Sequence, residues 1–394
     1  MRTILFTGKG GVGKTTCAAA TALAIAAGGR RTALISTDPA HSLADALDIP
    51  LGDELSEVAP RCFAGQLDSR ARLEASWGEL RDYLRALLDR GGLDGVEAEE
   101  LAVVPGLDEV FALADIKELA ASGEWDALVV DCAPTAETIR LLSLPEVLAW
   151  YMDRLFPLGR RLNRAVGPLV ARLAHLPPAS DEVFGAAASF YDRLDGVREV
   201  LLDPSCTVRL VLTPERVVVA EARRTYTYLS LFGYHVDAVI ANRVLPPEMV
   251  DPWFDRWRES QAEVLDGVRA DVAPVPVLTA RLAAEEVLGV EALSVHAAQI
   301  YGESDPAACL HNGEPVRFEH CGGTDGGRPA LSLHLPLVQR GEIDLRRADD
   351  DLVVTVGPYR RIVALPDSFR RREVVGARFE GDRLEVRFGG HGER

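Results

Sequence analysis

The stretch LFTGKGGVGKTT, residues 5–16, sits between a short apolar run and an alanine-rich one. Met1–Thr7 reads as a buried strand ending at glycine, and Thr15–Ala27 as a helix closed by Gly28 and Gly29. Between them, Gly8–Thr15 fits G-x-x-x-x-G-K-[ST] in the strand-then-helix setting that this pattern requires. Gly8, Gly10, Gly11 and Gly13, with Val12 among them, let the backbone wind around phosphate oxygens so that several N–H groups point inward. The helix N-terminus adds the positive end of its dipole. Lys14 is placed to neutralise β- and γ-phosphates, Thr15 to offer a hydroxyl to Mg²⁺, and Thr16 to reach the α-phosphate.

The lysines of this loop are unusual for the chain. Of 43 Lys plus Arg residues only Lys9, Lys14 and Lys117 are lysine, and two of the three fall here. Lysine is a compact charge on a thin stem, whereas arginine is a wide planar fork, so a tightly wound cradle has room for the first. That accounts for Lys14. Lys9 stands near the start of the loop, where its side chain points away from phosphates its own backbone encloses. It is best used on the nucleotide of another molecule, across a face-to-face dimer; the alternative is a solvated surface lysine.

The remainder of the first 300 residues alternates strand and helix patterns. RTALIST (31–37), DALVVDCAP (126–134), TVRLVLTP (207–214), HVDAVIANRVLP (235–246) and APVPVL (273–278) read as buried strands, with helical stretches between them. This pattern implies parallel crossover units and a doubly wound, mostly parallel α/β sheet, with ligands at the carboxyl ends of the strands. Two helical insertions, about 70–123 and 145–200, interrupt the alternation. In the second, Leu155, Leu158, Leu162, Val166, Leu169 and Leu173 form an amphipathic stripe accompanied by Arg154, Arg160, Arg161, Arg164 and Arg172. It reads as a helix packed on its own domain, or as a lid or groove wall for an apolar partner segment.

The last 80 residues change character. LSLHLPL, EIDLR, LVVTV, RIVAL, VVGARFE and RLEVRF are short alternating runs separated by turns, the signature of a small β-sandwich over about 315–390. The expected division is an ATPase-like domain over 1–302, a polar linker over 303–314 and the sandwich. No candidate site residue lies in 315–394, so its removal is expected to spare turnover.

Bulk properties narrow the function. The 394 residues carry a formal charge of −17, which argues against nucleic acid as a partner. The C-terminal segment from 315 holds 14 Arg against 13 acidic residues, so the excess negative charge lies in the first 314 residues. An anion bound there needs a strong local attractor. The six cysteines, at 17, 62, 132, 206, 309 and 321, form no C-x-x-C pair, which fits a reduced, cytoplasmic compartment. CAAATALAIAAGG follows the glycine loop directly and reads as a buried helix rather than a signal core, and no apolar run reaches membrane-spanning length.

Taken in order, several segments resemble one family. GKGGVGKTT is a deviant Walker A loop with its extra signature lysine. LISTDPAHSLADAL (34–47) resembles the first switch of the ArsA/Get-type ATPases, a branch that includes arsenite-pump ATPases and the tail-anchored-protein targeting factor. VVDCAPTAETIRLLSLPE (129–146) resembles the second switch, TPERVVVAEARRTY a following family segment, and VIANRVLP the adenine-side strand. The similarity spans roughly residues 1–300, and the sandwich resembles the α-crystallin fold of small heat-shock proteins.

The resemblance implies ATP and Mg²⁺ as cofactors and a Mg-dependent ATP hydrolase. Asp38 would orient the attacking water, Asp131 would hold Mg²⁺ through water, and Asn242 would contact adenine through its amide. Lys9 would reach the partner subunit's phosphates; His41 would only hydrogen-bond the switch. With one P-loop per chain, a composite site needs a homodimer. Its opening and closing would capture and release a protein or peptide client, with membrane proteins and transporters among the candidates. The alternative is the energy-coupling subunit of an arsenite or anion efflux system, and the less favoured one a partition or positioning ATPase.

Three departures bear on the choice. No C-x-x-C pair exists for the zinc clasp of the targeting factors, the second switch reads PTAET with Ala136 and Glu137, and Cys132 has no thiol neighbour in sequence for a metalloid.

Overall fold

A computed structural model of the chain describes residues 1–37, 42–66, 107–132, 196–319, 329–348 and 350–389. Asp38, His41, the second switch beyond Cys132, residues 70–106 of the first expected helical insertion and residues 145–195 of the second, with its Leu155–Leu173 stripe, lie outside the described residues.

The large sheet has eight strands. They are β1 (Arg2–Thr7), β2 (Thr32–Ser36), β3 (Ser56–Ala59), β4 (Cys62–Gln66), β5 (Ala127–Asp131), β6 (Cys206–Leu212), β7 (Val236–Val244) and β8 (Val277–Arg281), in the order β3-β4-β2-β5-β1-β6-β7-β8. All neighbours pair in parallel except β3 with β4. The mostly parallel α/β sheet expected from the alternation is therefore present. The central strands are buried along their length, which is why ILF, ALVV and the run from Cys206 read as continuous rather than alternating apolar stretches. The expected strand over 273–278 begins later, at Val277, because Pro274 and Pro276 have no N–H to give to the ladder. The pair β3 and β4 was not anticipated; β3 is an exposed edge strand with no apolar alternation to announce it.

Helix α1 (Lys14–Ala27) covers the sheet at its centre. Ala18, Ala19, Ala20, Ala22 and Ala26 are buried, and small side chains let it approach both the sheet and a late helix closely. The remaining described helices are α2 (Ser42–Leu47), α3 (Leu107–Ser122), α4 (Val197–Leu201), α5 (Arg216–Phe232), α6 (Pro252–Val272), α7 (Gly289–Tyr301) and α8 (Asp367–Arg370). The α3 backbone belongs to a separate compact unit of residues 67–123 and 140–200 and is a regular helix with Ile116 buried. No described helix is long and apolar enough to cross a membrane.

The C-terminal strands form two antiparallel sheets. One holds β14 (Val374–Glu380), β15 (Arg383–Phe388), β10 (Ala330–His334) and β9 (Val316–Glu319); the other holds β11 (Ile343–Ala348), β12 (Asp351–Val356) and β13 (Tyr359–Ala364). In RLEVRF, Leu384, Val386 and Phe388 are buried, as the alternation requires. Phe369 anchors this core edge-on to Phe318 and Phe388, at ring separations of 5.4 and 5.1 Å.

The polar segment 303–314 is stitched to the large sheet rather than hanging free of it. Arg209 and Asp237, both fully buried, pair at 3.4 Å, and Arg2 joins Asp237 at 2.9 Å. Arg2 and Arg209 then donate to the carbonyls of Ala307 and Ala308, Asp237 accepts from the Leu310 N–H, and Arg30 grips Asp305 through two bonds of 2.7 Å. Each buried charge has a partner, which is the condition for tolerating it there. Past this strap the sandwich docks on α5. Tyr228 lies against Tyr359 with ring centroids 3.7 Å apart, Thr227 donates to the Pro336 carbonyl at 2.7 Å, and the buried Arg361 donates to the carbonyl of Leu231.

Candidate functional site

The glycine loop follows β1 at the carboxyl edge of the sheet and leads into α1. Two of its glycines are required by close approach. A Cβ on Gly8 would lie 2.2 Å from the carbonyl oxygen of Val211, and one on Gly13 would lie 2.3 Å from Nδ2 of Asn242. Gly13, at φ 90°, also caps α1 without any side-chain bond, and the first turn of the helix holds no acidic residue. The leading N–H groups of α1 are thus left to an anion. Gly10 and Gly11 face open space, as the walls of a cradle should.

The two loop lysines diverge. Lys14 is buried, and its ammonium makes only a long 3.5 Å contact with the Lys9 carbonyl, with no carboxylate partner among the described residues. A buried cation so placed calls for an anionic ligand. Lys9 instead extends away from the loop, its ammonium 3.6 Å from a carboxylate oxygen of Glu221 on α5, with both side chains about one-third exposed (38% and 32%).

A cluster of oxygen donors adjoins Lys14. Thr15 donates to Asp131 Oδ2 at 2.7 Å, Ser36 donates to the same oxygen at 3.2 Å, and Ser42 lies 3.1 Å from the Thr15 hydroxyl. The parallel register of β1, β5 and β2 sets Phe6, Asp131 and Ser36 side by side and fixes this grouping. Hydroxyl and carboxylate oxygens are the ligand type that Mg²⁺ prefers, so the residues present fit the metal. Bound there, Mg²⁺ would draw charge from the phosphate oxygens.

Asn242 closes the loop from β7. Its Nδ2 donates to the Val12 carbonyl at 2.9 Å, and its Oδ1 accepts from the Arg243 N–H, also at 2.9 Å. Arg243 adopts φ 57°, an unusual conformation for a bulky residue, and so turns the chain sharply at the strand end. Gln261 of α6 then accepts from the Leu245 N–H at 2.8 Å and steadies that turn. Most of the expected site residues therefore gather at one sheet edge: Gly8 to Thr16 as the loop, Asp131 beside Thr15, and Asn242 behind Gly13. Asp38 lies outside the described residues.

Sequence reasoning missed Glu221, Ser36 and Ser42. The two serines stand in LISTDPAHSLADAL, where proximity to Asp131 could have been inferred from strand pairing. Nothing in the sequence ties Glu221 to Lys9.

The five cysteines among the described residues do not form a thiol site. Cys17, Cys62, Cys132 and Cys206 are free and buried, and Cys309 is free and partly exposed. Burial pushes the Cys17, Cys62 and Cys206 thiols up to about 12, and raises Cys132 further, with Asp131 adding to the effect. None is a ready thiolate, and no metal-ligating cluster of three occurs among the described residues.

A glycine cradle opening a helix, a buried lysine within it, a second lysine leaving it and a Thr–Asp pair beside it define a P-loop nucleoside triphosphatase of the deviant Walker A class. Comparison with known families agrees and goes further: residues 1–302 match the family described as anion-transporting ATPase, and 326–388 match the HSP20-like domain found in ArsA. The chain belongs to the ArsA ATPase family and is an ATP-hydrolysing enzyme. It is 35% identical to "Putative arsenical pump-driving ATPase 1" of Aquifex aeolicus, over 98% of this chain and 99% of the relative. A similarly described protein of Chlorobaculum tepidum is 34% identical over 98% and 96%. "ATPase GET3B" of Arabidopsis thaliana is 32% identical over 73% of this chain and 75% of its own.

Proposed function

We propose that this ATPase works as a homodimer in the cytoplasm, using Mg·ATP to close two chains upon each other and hydrolysis to part them, and that the cycle captures and releases a protein or peptide client. The observation that carries this reading is the divergence of the two loop lysines. Lys14 serves the nucleotide of its own chain. Lys9 turns outward to Glu221, a partly exposed surface pair of the kind worth about 1 kcal/mol. A twin's phosphates would displace that partner easily, so the resting contact parks Lys9 rather than consuming it.

Within such a pair the roles divide by chemistry. Lys14 and the loop N–H groups hold the β- and γ-phosphates, and Thr15 with Asp131 holds Mg²⁺, the latter through water. Lys9 from the twin offsets the charge that grows on the transferring phosphoryl group. Asp38, two residues after β2 in the sequence, orients water for in-line attack. Asn242 braces the loop with one amide hydrogen, and its remaining amide hydrogen serves the adenine. The division into residues 1–302, a strap over 303–314 and a sandwich over 315–390 leaves this chemistry to the first part.

The test is Lys9→Ala. ATP affinity should stay within about threefold while turnover falls at least a hundredfold, the scale for losing one transition-state donor. Turnover per chain in the unaltered protein should rise with protein concentration. Undiminished turnover in Lys9→Ala removes the cross-subunit role.

The second reading, coupling to metalloid efflux, is favoured by the printed names of the bacterial relatives. It predicts stimulation of hydrolysis by arsenite or antimonite, against which argue the buried Cys17, Cys62, Cys132 and Cys206, whose thiols burial keeps protonated.

A further inference from the structure

Past its first turn, helix α1 carries a single hydroxyl, that of Thr21. Thr21 is fully buried, and a hydroxyl left without partners there would cost stability. It donates to the Cys17 carbonyl one turn back at 2.6 Å, and its oxygen meets the Tyr301 hydroxyl, also at 2.6 Å. Tyr301 is buried too, as the last residue of α7. That helix packs along α1, with His296 Nε2 4.0 Å from Cys17 Sγ.

Counting hydrogens fixes the direction of these bonds. A threonine hydroxyl has one hydrogen, and Thr21 gives it to the Cys17 carbonyl, so Tyr301 is the donor to Thr21. The Tyr301 oxygen in turn accepts from Arg209 Nη1 at 2.8 Å. Arg209 also donates through Nη2 to the Ala308 carbonyl at 3.0 Å, and through Nε to Asp237. A one-way chain of donors therefore runs from the arginine that holds the strap, through Tyr301 and Thr21, into the middle of the nucleotide helix. The backbone end of Tyr301 holds the strap as well, because its carbonyl accepts from the Ser304 N–H at 2.9 Å.

We propose that Tyr301 is a positioning residue for the nucleotide loop: its hydroxyl ties α1 to the strap over 303–314, so that filling the cradle and ordering the strap are coupled. The geometry of α1 carries this. Thr21 lies seven residues beyond Lys14, about 10 Å along a hydrogen-bonded helix that moves as one piece. The head of that helix is loosely held in the structure. Gly13 caps it without a side-chain bond, and Lys14 has only its 3.5 Å contact with the Lys9 carbonyl. A bound phosphate restrains the head, and the rigid helix passes the restraint on to Thr21.

The strap grips the same rod a second time. Arg30, just beyond the end of α1, holds Asp305 through two bonds of 2.7 Å. That pair is exposed and correspondingly weak, whereas the Tyr301 link is buried. A helix held at its head by a ligand and further along by the strap couples the two restraints, and the coupling acts equally in both directions. Nothing in this link requires a second chain.

The experiment follows deuterium uptake by the strap peptide 303–314 in the full chain, with and without Mg²⁺ and a saturating non-hydrolysable ATP analogue. Its reporters include the Ala308 N–H, bonded to the Asp305 carbonyl, and the Leu310 N–H, bonded to Asp237. In the unaltered protein the analogue should slow uptake about fivefold or more, the lower end for coupling of this kind. Tyr301→Phe keeps the ring, which lies 5.3 Å from the Arg209 guanidinium, and loses only the hydroxyl, so the fold should survive; circular dichroism checks that it does. In that variant the slowing should vanish even with the cradle full, and the analogue dissociation constant should rise by a similar factor. Thr21→Val breaks the link from the other side and should do the same. Thr21→Ser, which keeps a hydroxyl, should behave like the unaltered protein. The double variant Thr21→Val/Tyr301→Phe should be no worse than either single change, since both remove one bond. A purely structural tyrosine would lower the melting temperature and leave the nucleotide-dependent slowing intact. Slowing that persists in Tyr301→Phe overturns the proposal. So does a strap indifferent to the analogue in the unaltered protein, or a loss of affinity that adds up in the double variant.

Discussion

Replacing Asn242 with Ala separates two ways in which one side chain can support nucleotide binding. In the structure Asn242 is buried, its amide hydrogen holds the Val12 carbonyl at 2.9 Å, and its oxygen holds the Arg243 N–H at 2.9 Å. Alanine leaves both backbone groups without those partners. Each buried polar group so orphaned costs ~1–3 kcal/mol, and relaxation toward water recovers part of it. A net loss of about 2 kcal/mol in the bound form of the loop corresponds to about thirtyfold in affinity. If bracing of the loop is what matters, that loss falls on everything the cradle holds. ATP and bare tripolyphosphate should then weaken by the same factor, measured by titration calorimetry with Mg²⁺ present. A base contact alone predicts that ATP weakens while tripolyphosphate does not. Tripolyphosphate binding within threefold of the unaltered protein would refute the bracing argument, and Asn242→Asp should behave at least as badly, because an ionised carboxylate cannot donate to Val12.

Two further outcomes rest on other parts of the molecule. Asp131→Asn should raise the Mg²⁺ concentration for half-maximal hydrolysis at least tenfold while leaving Mg-free nucleotide binding nearly unchanged; an unaltered Mg²⁺ titration would show that Asp131 serves only to hold Thr15 and Ser36. The second concerns pH. Burial depresses His235, whose Nε2 accepts from the Gly313 N–H at 3.1 Å, with His311 and Arg2 adding to the effect and Asp237 opposing it. Burial likewise depresses His334, with Arg383 and His311 adding and Asp382 opposing. Both are neutral in the fold but take up protons in the unfolded chain near the ordinary value of 6.5, so the unfolded state binds more protons as the pH falls. Stability is therefore complete above that value and declines below it, until the folded groups also protonate. The melting temperature should drop on acidification from about pH 8 to pH 5, and His235→Gln should flatten part of that slope; an equal slope in the variant would acquit the histidine.

The sequence made the nucleotide edge legible because its chemistry is local. A glycine loop between a strand and a helix fixes its own geometry, and Lys14 and Thr15 follow from it. Asp131 was legible because it ends an apolar strand. The long-range partners were not. Glu221 meets Lys9 only because β6 lies beside β1, and the run TVRLVLTP shows a buried strand while hiding that Arg209 is its fully buried charge. That arginine is tolerated because Asp237 on the next strand, Tyr301 at 2.8 Å and the Ala308 carbonyl all receive it, and no local pattern announces four segments meeting. The sandwich strands were legible for the opposite reason: period-two alternation is itself the sign of a sheet with one buried face.

The expectation that the sandwich is dispensable for turnover needs revision on the same grounds. No site residue lies in it, yet α5 is shared. Near its start Glu221 holds Lys9, and near its end Thr227, Tyr228 and the Leu231 carbonyl hold the sandwich. The helix spans 17 residues, roughly 25 Å at the usual rise, and is hydrogen-bonded throughout, so it is a rigid piece with a foot in each place. Cutting away the sandwich would uncover Tyr226, now buried beside His334, and would remove the Arg361 bond that satisfies a carbonyl in the last turn of that helix. It would also leave the strap at Asp305–Leu310 without the domain it leads to, although the buried Arg209–Asp237 pair depends on that strap for its remaining bonds. A truncated chain that lost activity would therefore say nothing about a shared site, whereas point changes at Tyr359 or Arg361 loosen the docking and leave every nucleotide contact in place.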